Sequence, residues 1–246
     1  MLLQCEGVAL KQRLAPFNAN VNNGELIHLL GPNGAGKSSL LGCLAGLLPA
    51  EGVVRLSGRS LVDWPATSLA RNRAWLAQQQ LPAGRMPVWQ YLSLHQVAGV
   101  RMDDAALNIL CQTFMLADKL ARPLSQLSGG EWQRVRLAAV LFQMAQPEGK
   151  LLLLDEPLTG VDLAQQAAFD RYLASCVADG LTVIMSGHDL NHSLHHAHHV
   201  WLMKDGELVQ QGTADDVLQP EQLSAVFEVP FRRTGVGSHQ ILTTFL

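Results

Sequence analysis

Short, dense apolar runs alternate along this chain with longer stretches in which apolar positions recur every three or four residues. Leu26-Ile27-His28-Leu29-Leu30, Leu151-Leu152-Leu153-Leu154 and Thr182-Val183-Ile184-Met185 are runs of the first kind. Such runs predict strands buried on both faces of a parallel sheet. Residues 53–56, followed by Gly58, and residues 75–77 predict two more strands. A helix is expected over residues 38–48, with Leu40, Leu41, Leu44 and Leu47/Leu48 on one face and Pro49 just past its end. Helices are also expected over 103–116 (Leu107, Leu110 and Phe114 at i, i+3, i+7), 130–144 and 163–178. Strand, helix and strand over 151–185 form a βαβ unit. The fold class is therefore α/β, with a mostly helical insert in the middle third. Pro82, Gly84 and Pro87 mark the loop where the insert begins.

Composition narrows the class. At 246 residues, 48% hydrophobic and 16% charged, the chain is long enough for a core that needs no disulfide or metal. The four cysteines are widely spaced, which predicts reduced, buried thiols. Eighteen basic against 21 acidic residues leave a net charge of −3, so no nucleic-acid partner is expected. No apolar run reaches membrane-spanning length, and the N-terminus has no basic region followed by an apolar one.

The chemistry starts at Gly31-Pro32-Asn33-Gly34-Ala35-Gly36-Lys37-Ser38, a G-x-x-x-x-G-K-[ST] motif between a predicted strand and helix. Its glycines let backbone amides turn inward around phosphate oxygens, and the helix N-terminus adds its positive end. Lys37 is expected to reach the β- and γ-phosphates of ATP. Ser38 is expected on the accompanying Mg²⁺. The apolar strand 151–154 ends in Asp155-Glu156-Pro157. A strand end beside a phosphate loop suits a Mg²⁺-organising aspartate, Asp155. Strand alternation is expected to turn Glu156 elsewhere, as a base for the attacking water. Leu127-Ser128-Gly129-Gly130-Glu131 precedes a helix. It reads either as a second anion cradle or as an ordinary Ser cap with a flexible Gly pair.

Taken together, these motifs and a lone His188 after strand 182–185 resemble the nucleotide-binding subunit of ATP-binding cassette (ABC) transporters, over nearly the whole chain. The resemblance implies a P-loop NTPase (RecA-like) core with a parallel sheet plus a helical signature subdomain. Residues 1–246 would be a single ABC ATPase domain, with about 1–80 and 144–246 as core and N-terminal β part and about 81–143 as the helical subdomain. By the same analogy Gln78 touches Mg²⁺ and senses the membrane partner, with Gln79 and Gln80 leaving its register open. Asp162 belongs to the loop that crosses the dimer interface. His188 contacts the γ-phosphate, and Ser39 stands where the family usually has Thr. Two copies would pair head-to-tail, with Ser128, Gly129 and Gly130 of one capping the γ-phosphate held by Lys37 of the other.

Residues 87–92, 128–138 and 187–192 resemble, within that family, bacterial importer ATPases. Cobalamin import is the first expectation. A ferric-siderophore or haem importer is the alternative, and a soluble ABC ATPase a further one. The implied partners are a second copy, two polytopic membrane permease subunits and, indirectly, a periplasmic binding protein. The transported substrate would not touch this chain. The implied location is the cytoplasmic face of the bacterial inner membrane. Residues 81–94 would form a groove for a permease helix, with Trp89 and Tyr91 as anchors or, alternatively, as core.

Two features depart from simple expectation. Residues 7–14 hold no aromatic to stack on adenine, leaving Lys11 or Arg13 to cover the base. Six of the nine histidines fall in His188, His192, His195, His196, His198 and His199. Four of them share the i, i+3, i+4, i+7 pattern of a helix face, 192 to 199. That pattern reads as a polar face, or as a metal or pH-sensing site with no acid nearby except Asp189.

Overall fold

The computed structural model describes residues 1–78, 81–82, 84–97, 104–237 and 239–245. The strands are β1 (Leu3–Leu10), β2 (Leu14–Val21), β3 (Leu26–Leu30), β4 (Glu51–Leu56), β5 (Arg59–Ser60), β6 (Arg73–Leu76), β7 (Leu151–Leu154), β8 (Thr182–Ser186), β9 (His199–Lys204), β10 (Glu207–Thr213), β11 (Phe231–Val236) and β12 (His239–Thr244). The α-helices are α1 (Lys37–Leu44), α2 (Ala66–Asn72), α3 (Val88–Ser93), α4 (Asp104–Thr113), α5 (Gly129–Met144), α6 (Leu163–Ala178), α7 (Leu190–His196), α8 (Ala214–Val217) and α9 (Pro220–Phe227).

A six-stranded sheet runs β10-β9-β3-β8-β7-β6, parallel except for the β9–β10 edge hairpin. An antiparallel sheet runs β2-β1-β4-β5, and β11 pairs with β12. The apolar runs sit where the pattern predicts, because each strand feeds two cores. Leu152 and Leu154 of β7 face a core formed with α3 to α6; Leu151 and Leu153 face α1 and the antiparallel sheet. All four are fully buried, and each contributes about 1.5–3 kcal/mol of transfer free energy. A third core joins β9 to α8, α9 and β12.

Several boundaries differ from expectation. The helix expected over 38–48 stops at Leu44, because the chain turns at Gly46 with φ +68°. Leu47 is consequently 57% exposed, while Leu48 packs back on Gly42. The strand at 75–77 is instead Arg73–Leu76. The helix placed at 103–116 is Asp104–Thr113, with Asp103 outside the described residues. The antiparallel sheet, most of it not anticipated, hides its period. β1 slips register between Cys5 and Val8, around Gly7 at φ +58°. The histidine helix ends at His196, so His199 belongs to β9 and does not share the helix face. No helix among the described residues is long and apolar enough to cross a membrane.

Candidate active site

The loop from β3 to α1 closes on itself for steric reasons. A Cβ at Gly31 would lie 2.2 Å from the Met203 carbonyl oxygen. Gly36, at φ +96°, occupies the left-handed region just before α1 begins. Lys37 opens that helix and is nearly buried. Its Nζ donates to the carbonyl oxygens of Gly31 (2.7 Å) and Pro32 (3.0 Å), holding the ammonium over the loop. Burial lowers its pKa, and the charges of Glu156 and Asp155 oppose that shift. Ser38 and Ser39 follow on the first turn. With Asn33, Gly34, Ala35, Gly36 and Lys37 they line a cavity of about 1040 Å³.

β7 delivers the acids. Asp155 is buried and accepts a hydrogen bond from Ser186 Oγ at 2.7 Å. The same Ser186 oxygen accepts the Glu156 backbone N–H at 2.9 Å. Strand alternation is not what separates the two carboxylates. Both lie past the end of β7, and Glu156 turns away because its backbone is left-handed, φ +48°. Its carboxylate meets His188 Nε2 at 2.5 Å and also bonds the Gln78 side chain. Burial raises the Glu156 pKa, but the hydrogen bonds to Gln78 and His188 and the nearby Lys37 prevail. Glu156 is held below the usual glutamate range and is a carboxylate at neutral pH.

Gln78, Glu156 and His188 therefore line the same cavity as the phosphate loop. Gln79 and Gln80 lie outside the described residues. Arg13 lines the cavity and Lys11 does not. Gln12, Leu14, Ala15, Asp205 and Gly206 also line it, and none of them was anticipated. They arrive from the β1–β2 and β9–β10 turns, far from the loop in sequence, and carry no motif.

The signature segment lies elsewhere. Ser128, Gly129, Gly130 and Asp162 do not line the cavity. Ser128 caps α5 in a reciprocal box, its Oγ accepting from Glu131 N (3.3 Å) and Glu131 Oε2 accepting from Ser128 N (2.8 Å). Asp162 caps α6 through Gln165 N at 2.9 Å. Ser128, Gly129 and Asp162 are exposed and Gly130 is partly so, which leaves room for a second partner beside their roles as caps. Two residues of α5 not singled out from the sequence tie it to the cavity wall. Buried Gln133 donates to the Pro157 carbonyl at 2.7 Å, and Arg136 donates to Gln133 Oε1 (2.9 Å) and to the Ala77 carbonyl. They clamp the backbone beside both Glu156 and Gln78. Trp89 is 55% exposed, as a partner anchor requires. Tyr91 is instead packed edge-on against Trp132 at 5.0 Å, and so belongs to the core.

Comparison with known proteins now decides the family. The ABC transporter family model matches residues 14–159, more than half of the chain. The chain belongs to the ABC transporter family. The "Vitamin B12 import ATP-binding protein BtuD" of Citrobacter koseri is 50% identical over 244 residues, covering 98% of this chain and 97% of that protein. The protein of the same name from Escherichia coli O157:H7 is 47% identical over 245 residues, 98% of each chain. Among solved structures, an ATP-binding subunit of an ABC transporter superposes with a TM-score of 0.80 at 22% identity, over 92% of this chain and 95% of that one. The cbiO1 structure from Clostridium perfringens gives 0.73 at 24% identity, over 91% and 93%. These structures share the fold, mixed sheet and flanking helices included.

Proposed function

We propose that this chain hydrolyses ATP to power a bacterial cobalamin importer, working as a head-to-tail dimer beneath two membrane permease subunits. One observation carries the reading. Lys37, Gln78, Glu156 and His188 converge on one cavity, in a chain about half identical along its length to vitamin B12 import ATP-binding proteins. The phosphate-loop amides and Lys37 bind the β- and γ-phosphates. Arg13 and its neighbours border the adenosine end. The Glu156 carboxylate takes a proton from the attacking water as its oxygen bonds the γ-phosphorus and the bond to the ADP oxygen breaks. His188 holds Glu156 and reaches the leaving γ-phosphoryl group.

The donors suit Mg²⁺. The Ser38 hydroxyl, the buried Asp155 carboxylate and the Gln78 amide oxygen are the hard oxygen ligands that such an ion takes. When bound, the ion neutralises charge on the β- and γ-phosphates.

The signature Ser128-Gly129-Gly130, exposed at Ser128 and Gly129, supplies the missing wall to a second copy. The core (about 1–80 and 144–246) and the helical subdomain (about 81–143) would move as units when it docks. Exposed Leu81, Trp89 and Leu94 suit a permease helix. The chain would sit on the cytoplasmic face of the inner membrane. The periplasmic binding protein would be met only through the permease.

The test is uptake of labelled cobalamin and of a labelled ferric siderophore in cells lacking this gene, rescued by the parent or by Glu156→Gln. Cobalamin uptake restored by the parent alone supports the reading. Restored siderophore uptake instead would move the substrate to that class, and no effect on either would overturn the importer reading.

A further inference from the structure

A second cavity, of about 320 Å³, is lined by residues of β3, α6 and α7. Asp170 of α6 and His192 and His196 of α7 line it. His192 and His196 stand one helical turn apart, i and i+4, so both rings project from one face. His192 Nε2 lies 3.0 Å from Asp170 Oδ1, and His196 Nε2 lies 4.0 Å from Asp170 Oδ2. One ligating atom from each of the three residues lies within 4.8 Å of the other two. Donors on a tetrahedral Zn²⁺ at ~2.0–2.2 Å stand roughly 3.3–3.6 Å apart, between the two spacings found here.

An independent observation points into the same cavity. His28 of β3 is 2% exposed, lines the cavity, and stacks on His192 with ring centroids 5.4 Å apart. Its Nδ1 lies 2.8 Å from Ser193 Oγ. Ser193 spends its single proton on the Asp189 carbonyl, 3.0 Å away. The bond at Nδ1 must then be donated by the imidazole. His28 Nε2 is left as a bare, buried lone pair with no hydrogen-bond partner among the described residues. A buried acceptor of this kind costs free energy unless something fills it.

We propose that Asp170, His192 and His196 form a binding site for a borderline transition metal, Zn²⁺ by preference, with His28 Nε2 as a fourth lone pair for the ion or for a water on it. Two imidazoles and one carboxylate favour such an ion over Mg²⁺ or Ca²⁺, which take oxygen. The four remaining histidines of the cluster are otherwise engaged. His198 Nδ1 accepts from Leu26 N at 3.2 Å, His195 packs edge-on to His239, His199 Nε2 lies 4.0 Å from Glu25 Oε1, and His188 holds Glu156. The site joins α6 to α7, the helix that begins two residues after His188, and a bound ion would pin that helix.

The test uses the full chain without a histidine tag, stripped with chelator and titrated with Co²⁺ and Zn²⁺. One equivalent of Co²⁺ with the strong visible absorption of tetrahedral coordination, displaced by Zn²⁺, is expected. Asp170→Asn keeps the side-chain shape, and with His196→Ala it should weaken binding at least about 100-fold. His28→Phe should weaken it about tenfold. His195→Ala should leave it unchanged. Absence of stoichiometric binding, a weak octahedral spectrum, or equal binding by parent and Asp170→Asn with matching melting curves would each overturn the proposal. Nucleotide hydrolysis is not needed for the readout, so this result and the importer reading can fail separately.

Discussion

Two segments of this chain use the same ingredients, Gly and Ser at a helix N-terminus, and reach different ends. The loop 31–38 is finished within one molecule. Only glycine fits at Gly31 and Gly36, where the carbonyl oxygens of Met203 and Arg13 press close; Lys37 folds over the loop, which lines the large cavity. Ser128 and Gly129 are exposed and Gly130 partly so, the Ser128 side chain is tied to Glu131 of its own helix, and the segment does not line that cavity. A helix N-terminus attracts anions in either place. What separates them is whether the tertiary structure brings other charged groups to it. The first segment is a site, and the second is half of one.

The contrast can be broken from either side. The largest effect is expected from Lys37→Ala, which removes a buried cation held over the loop. Mg-ATP affinity, read by calorimetry, should fall about 100-fold or more. A variant that binds as tightly as the parent would reduce the loop to a turn. Next comes the claim that the signature segment acts in trans. Lys37→Ala and a variant carrying Asp at Gly129 should each be inactive alone. Mixing them should restore ATPase activity, because one heterodimer site draws on two intact halves. The parent's specific activity should rise with protein concentration. Activity that stays constant in a proven monomer, or no rescue on mixing, would place the signature within its own chain's site.

A smaller effect separates the two cavities. Burial, aided by His192, His196 and His198, pushes the His28 pKa down to about 3. Its unfolded value is higher, near 6.5, so the unfolded chain binds the extra proton as pH falls. Stability from neutral His28 is present above that value and is lost below it. In chelator, the parent should lose about 2 kcal/mol more unfolding free energy between pH 7 and pH 5 than His28→Leu does. Parallel pH profiles in urea melts would contradict this. The smallest effect belongs to the cap. Ser128→Ala should cost about 1 kcal/mol of stability while leaving Mg-ATP affinity unchanged, because among the described residues its side chain serves the capping box and does not line the nucleotide cavity. A tenfold loss of affinity in the monomer would join the two segments after all.

Much of this was legible in residue order. The apolar runs at 26–30, 151–154 and 182–185 place strands because a buried parallel strand needs nothing but apolar residues. The phosphate loop, Asp155, Glu156 and the signature carry chemistry in contiguous letters. Local sequence did not reveal the antiparallel sheet, whose period breaks at Gly7, or the early end of α1. It did not reveal the cause of the Glu156 turn, which is a left-handed residue after the strand rather than strand alternation. Nor did it show that Asp170, 22 residues upstream, is the acid that meets His192 and His196. Residue order specified the buried parallel strands, the long helices and the reagents, because period and motif are short-range properties of the chain. Which reagents meet was settled by packing. Gln78, Glu156, His188 and Lys37 come from four separate segments, and packing the parallel strands side by side brings their ends to one cavity.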